Sequence, residues 1–107
     1  MAQRESRLSR KIQETLRAQG YFCFKVHGSE MMMAGLPDII VCAHGLFIGL
    51  ETKNPETRED VSPRQAYVHD KIRQAGGGAI VVCSPAEALK AVADTISAFN
   101  QRVVRHK

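Results

Sequence analysis

Between Gly35 and Lys53 the chain reads GLPDIIVCAHGLFIGLETK, and the two apolar runs inside it constrain the fold more than any other stretch. Ile39 to Ala43 and Leu46 to Leu50 are rich in β-branched and aromatic residues and meet at His44-Gly45. Bounded by turn formers, such runs predict an antiparallel hairpin. With His44 and Gly45 as a two-residue turn, Ala43 faces Leu46. Carried outward, the same register sets Asp38 opposite Glu51. A symmetric four-residue turn keeps this pairing, whereas a three-residue loop breaks it.

Residues directly opposite on one face of a sheet have Cβ atoms about 4.5–5.5 Å apart. Two carboxylates so placed repel each other unless a proton or a cation lies between them. Strand alternation also puts Lys53 on the Glu51 face, two residues along. The hairpin therefore gathers two acids and one base at one end. Mg²⁺ resolves such a cluster well, because it uses one or two carboxylates and keeps its other positions for water and substrate phosphate. A plainer reading has Asp38 merely beginning a strand after Pro37, with Glu51 and Lys53 as solvated edge residues. That reading suits any one of the three better than it suits the trio.

A chain of 107 residues predicts one domain, residues 1–107, with one modest core. No apolar stretch approaches the roughly 20 residues that cross a bilayer, so no membrane is expected. The opening MAQRESRLSRK lacks the apolar segment of a secretory signal. Cys23, Cys42 and Cys83 fall in apolar runs without metal-type spacing. They read as small buried core residues in a reducing compartment, which predicts the cytoplasm. The formal net charge of +4 favours an anionic partner only weakly. Basic residues concentrate at the two ends, at Arg4, Arg7, Arg10, Lys11 and Arg17, then Arg102, Arg105 and Lys107. Solvated helix faces account for most of these taken singly.

From about Gln3 to Gln19 apolar residues recur at Leu8, Ile12 and Leu16, and Gly20 is a suitable stop, so the spacing predicts a helix. At about 100° per residue, Glu5 falls within roughly 20° of Ile12 and Leu16, while Glu14 lies about 160° from Ile12. Glu14 points to solvent. Glu5 prolongs the buried stripe, either complementing the helix dipole or reaching the acid cluster as a third carboxylate. Tyr21 to His27 reads as a strand with Phe22, Phe24 and Val26 on one face. Gly28 to Gly35 reads as a loop in which Met31, Met32 and Met33 serve as flexible core filler or as part of a partner surface, the first being the favoured reading. Glu30 is a stray acid within it.

Beyond the hairpin, Asn54 to Val61 is polar and turn-rich. Ser62-Pro63-Arg64-Gln65 has the form of a capping box. The helix it opens has an inward stripe through Val68, Ile72 and Ala75. Gln65 lies within about 20° of Ile72 on that wheel, so it is positioned both to cap the helix and to serve a site. Gly76-Gly77-Gly78 ends this helix. Ala79 to Cys83 is a fully apolar strand of the kind expected at a sheet centre. Ser84-Pro85-Ala86-Glu87 is a second capping box, opening a helix with Leu89, Val92, Ala93, Ile96 and Phe99 on one face. The basic tail from Asn100 to Lys107 is expected to fray. The order α-β-β-β-α-β-α, with a helix between the third and fourth strands, predicts an α/β fold with a mixed sheet flanked by helices.

Pro37-Asp38 followed by Glu51-Thr52-Lys53 resembles the PD-(D/E)xK nuclease signature. The fuller set is Glu5 in an N-terminal helix, Gly35-Leu36-Pro37-Asp38, Glu51-Thr52-Lys53 and Ser62-Pro63-Arg64-Gln65, ahead of a glycine-rich stop and an apolar strand. This set resembles the VRR-NUC branch, in particular its compact stand-alone forms from bacteriophages and bacteria. The resemblance spans roughly Glu5 to Pro85. It implies a restriction-endonuclease-like core with a central mixed β-sheet flanked by helices, and Mg²⁺- or Mn²⁺-dependent cleavage of nucleic-acid phosphodiesters. Asp38 and Glu51 would then be the main metal ligands, with the Thr52 carbonyl contributing and Glu5 completing the cluster directly or through water. Lys53 would orient or activate the attacking water, and Gln65 would help place that lysine or the phosphate. The resemblance further implies a homodimer acting on branched DNA, such as four-way junctions or flaps, in the cytoplasm of the cell or of a phage host.

The chemistry is consistent by itself. A carboxylate-held Mg²⁺ lowers the pKa of bound water and screens phosphate oxygens. Lysine is a compact point charge suited to the same work. Basic side chains at the chain ends can hold backbone phosphates without reading sequence. Two other readings make opposite predictions. A non-catalytic branched-DNA-binding or assembly module would bind without metal and cut nothing. A purely structural subunit would show no metal-dependent rise in melting temperature.

Overall fold

A computed structural model describes residues 2–28 and 31–105. Helix α1 spans Ala2–Ala18, strands β1, β2 and β3 span Phe22–Lys25, Ile39–Ala43 and Leu46–Thr52, and a 3₁₀ turn follows at Pro55–Thr57. Helix α2 (Pro63–Gln74), strand β4 (Gly78–Val82) and helix α3 (Pro85–Arg105) complete the chain. The predicted order is the observed one. The four strands form one mixed sheet in the order β1-β2-β3-β4, antiparallel except for the β3–β4 pair.

The hairpin turns at His44-Gly45, with Ala43 paired to Leu46 and Ile39 to Leu50. Both turn residues have positive φ, +52° at His44 and +80° at Gly45, as a tight hairpin of this twist requires. On one sheet face Cys23, Val41, Ile48 and Leu50 meet Ile12 and Leu16 of α1 and Ala88 and Val92 of α3 in a closed core. Each fully buried aliphatic side chain there contributes about 1.5–3 kcal/mol relative to exposure. The opposite face is divided. Helix α2 packs against β4, while Phe22 and Phe24 of β1, Cys42 of β2 and Phe47 of β3 remain exposed.

Four expectations need correction. The apolar strand β4 lies at the sheet edge, not its centre. It is apolar because α2 and α3 cover its two faces, and coverage rather than strand rank sets composition. Met31, Met32 and Met33 are exposed rather than packed into the core. Cys42 is exposed as well, since alternation places it on the uncovered face between Phe22 and Phe47. Finally, α3 does not stop near Asn100 but continues to Arg105, with Arg102 stacked over Phe99. No described helix is long and apolar enough to cross a membrane.

Candidate active site

Two glycines place Asp38. Gly35 has φ +89°, and a Cβ there would lie 2.8 Å from the Arg64 carbonyl oxygen, so the backbone sits directly on the first turn of α2. Arg64 Nε donates to the Ala34 carbonyl (3.3 Å) and holds the approach. Gly49 of β3 leaves the space into which the Pro37 ring packs; any Cβ at 49 would collide with that ring. Asp38 comes next in the chain, one step beyond the last β2–β3 pair, opposite Glu51. Its carbonyl accepts from Val26 N–H (2.7 Å). Its carboxylate Oδ2 accepts from Thr52 N–H (2.9 Å) and from the Thr52 hydroxyl (2.7 Å).

Glu51 is 3% exposed. Its Oε2 accepts from Gln65 Nε2 at 3.0 Å and lies 3.9 Å from Lys53 Nζ. Its Oε1 is buried with no hydrogen-bond partner among the described residues and lies 3.9 Å from His69 Nε2, which is equally buried and likewise without one. Burial is the main force raising the Glu51 carboxyl from its ordinary 4.5 to about 7, and repulsion from Asp38 adds to it while Lys53 opposes it. The anion is thus held at a cost that a bound cation would relieve.

Gln65 divides its amide between two tasks. Its oxygen accepts from Ser62 N–H (2.9 Å) while Ser62 Oγ accepts from Gln65 N–H (3.1 Å), which closes the capping box. Its nitrogen is the donor to Glu51. The amide therefore touches an acid rather than Lys53.

Asp38, Glu51, Thr52, Lys53 and Gln65 are accordingly brought together. Glu5 is not joined to them by any hydrogen bond or ion pair among the described residues. It is half-buried in the first turn of α1, where the helix dipole favours a carboxylate. That end of α1 is tied to the 3₁₀ turn following β3 by the Arg4–Glu56 ion pair. Glu30 lies outside the described residues.

Two contributions escaped sequence reasoning. The Thr52 hydroxyl and amide hold Asp38, a contact strand alternation does not reveal. His69 lies four residues after Gln65, one helical turn along the same face of α2. That spacing was the available signal.

The donor set fits a divalent metal. Among the described residues no cluster of three or more His, Cys, Asp and Glu side chains forms a ready cage. Two hard carboxylates do converge, however, and Glu51 Oε1 is a buried acceptor lacking a donor. One or two carboxylates, with water and phosphate filling the remaining positions, is how Mg²⁺ is usually bound.

No family model matches the chain. No curated protein matches it either. A solved structure described as a VRR_NUC domain does, at 27% sequence identity and TM-score 0.66, covering 82% of this chain and 92% of that one. That likeness extends to the restriction-endonuclease-like core of mixed sheet and flanking helices. By its fold, the chain carries a VRR-NUC-like domain.

Proposed function

We propose that the protein is a metal-dependent nuclease that hydrolyses DNA phosphodiester bonds, selective for branched structures such as four-way junctions or flaps. The observation that carries this reading is the convergence of Asp38, Glu51 and Lys53 at the open end of the β2–β3 hairpin. Asp38 and Glu51 would hold Mg²⁺ or Mn²⁺, with the Thr52 carbonyl as a further oxygen ligand and Glu5 reaching the cluster through water. The bound ion would lower the pKa of a coordinated water and neutralise charge on the phosphate.

The protein's own residues supply the rest. Thr52 fixes one Asp38 oxygen, so the carboxylate is oriented before any ligand arrives. Gln65 does the same for Glu51 Oε2 from a capped and therefore rigid helix start. Lys53 is 16% exposed at its side chain, with Nζ held near Glu51. It is placed to orient an attacking water and to offset charge on the phosphate in the transition state. The reaction is an in-line displacement in which water attacks phosphorus, the P–O bond to the leaving oxygen breaks, and that oxygen takes up a proton.

A homodimer is part of the same proposal. A nuclease this small offers little surface to grip a junction. The uncovered sheet face presents Phe22 (67% exposed), Phe24 (45%) and Phe47 (49%) together with Cys42. Contiguous apolar surface of that kind marks an interaction site.

The test is a cleavage panel of four-way junction, flap, nicked and linear duplexes with Mg²⁺, Mn²⁺ or chelator. Metal-dependent cutting, lost in Asp38→Ala and Lys53→Ala while both remain folded, is the expected result. Either variant cutting as well as wild type would refute the assignment. Metal-independent binding without cleavage would favour a branched-DNA-binding module.

A further inference from the structure

We propose that His69 is a positioning residue that completes the grip of α2 on the Glu51 carboxylate and so sets the affinity of the site for its metal. The inference rests on the metal-site reading above and deepens it.

Glu51 carries two oxygens, and only one is held. Gln65 Nε2 fixes Oε2 at 3.0 Å. Among the described residues Oε1 has no hydrogen-bond partner, and the buried polar atom facing it is His69 Nε2, 3.9 Å away and also without one. Both residues are 3% exposed. A buried polar atom that gives up water without gaining a hydrogen bond is costly. Two such atoms facing each other at that distance are a matched pair held slightly apart.

Closing the gap by about 1 Å brings it to hydrogen-bond length. With its proton on Nε2, the imidazole then donates to Oε1. Gln65 and His69, one turn apart on α2, would grip the two oxygens separately. Each carboxylate oxygen has a second lone pair, so neither bond prevents coordination of an ion. A carboxylate pinned at both oxygens loses its freedom to rotate about the terminal side-chain torsion, which is otherwise broad. The entropy of ordering that ligand is then spent in folding rather than in metal binding.

The helix is built for this task at its other contacts as well. Its start is locked by the Ser62–Gln65 capping box. Val68, the neighbour of His69, packs where Gly35 lets the loop before Asp38 approach. One rigid turn of α2 therefore touches the supports of both acids.

The test measures Mn²⁺ binding by calorimetry at fixed pH for wild type, His69→Leu and His69→Gln, alongside metal-free melting temperatures. Leucine removes the donor and keeps the bulk. Glutamine returns an amide N–H near the position of Nε2. Loss of a group that hydrogen-bonds a metal ligand typically costs 10–100-fold in affinity. The expected result is a loss in that range for His69→Leu without a lower metal-free melting temperature, and binding within about threefold of wild type for His69→Gln. A residue that serves packing alone would lower the melting temperature and leave the affinity unchanged. His69→Leu binding Mn²⁺ as tightly as wild type would overturn the proposal. Should the leucine variant not fold, His69→Asn, whose amide is too short to reach Glu51, carries the same comparison against His69→Gln. Failure of wild type itself to bind Mn²⁺ would refute the metal reading, and the role of His69 with it.

Discussion

Glu51 is where stability and proposed function conflict most directly. Its carboxyl is raised from 4.5 to about 7 because the anion is buried beside Asp38. Since the folded-state value lies above the ordinary one, the folded chain binds this proton more tightly than the unfolded chain does. The stability so gained is fully present below about pH 4.5 and is lost as pH rises through about 7. Glu51→Gln removes that loss. In chelator at pH 8 the variant should be more stable than wild type by on the order of 3 kcal/mol, read as a melting temperature several degrees higher, and the difference should shrink at pH 5. Added Mg²⁺ should raise the wild-type melting temperature and leave that of the variant unchanged. A variant melting below wild type at pH 8 would show that the buried charge is not the strained element inferred here.

At the scale of elements, the site depends on close approach between backbones. Pro37 packs where Gly49 has no side chain, and Asp38 follows Pro37, so any side chain at 49 pushes on the acid. Gly49→Val should cost about 1–3 kcal/mol by overpacking, seen in thermal melts, and should lower cleavage further than the loss of folded protein explains. Full activity and an unchanged melting temperature would contradict this account of how Asp38 is placed. The hairpin register was legible in the sequence because His44-Gly45 and the flanking apolar runs leave few alternatives, and with it the pairing of Asp38 with Glu51. The capping box at Ser62 was legible for the same reason, as a local pattern with local causes. The Asp38–Thr52 bonds were not. Asp38 lies just outside β2, where the pleat no longer dictates side-chain direction. The position of β4 was hidden because an apolar run reports covered faces, whichever place the strand occupies in the sheet. His69 was not legible because a polar residue between the apolar Val68 and Ile72 gives no periodic signal of burial.

For the whole molecule, the asymmetry of the sheet is the main feature. One face is closed by α1 and α3, and the other is shared between α2 and open solvent. Phe22, Cys42 and Phe47 form one row across three strands on the open part. If a second copy covers this face, wild type should run by light scattering at twice the 11.8 kDa chain mass, and Phe22→Asp with Phe47→Asp should give a folded monomer. A monomeric wild type at tens of micromolar would remove this face from the account. Strand alternation puts Glu51 on the same sheet face as Phe47, so dimerisation and DNA binding would be coupled through one face.

All of this depends on Asp38 and Glu51 holding one ion between them. Crystals grown with Mn²⁺ and measured at a wavelength where manganese scatters anomalously test that claim most directly. The account predicts an anomalous peak within coordination distance of one oxygen from each of the two carboxylates, absent from Asp38→Ala crystals. A fully ordered site with no peak between them, or manganese bound only elsewhere, would contradict it.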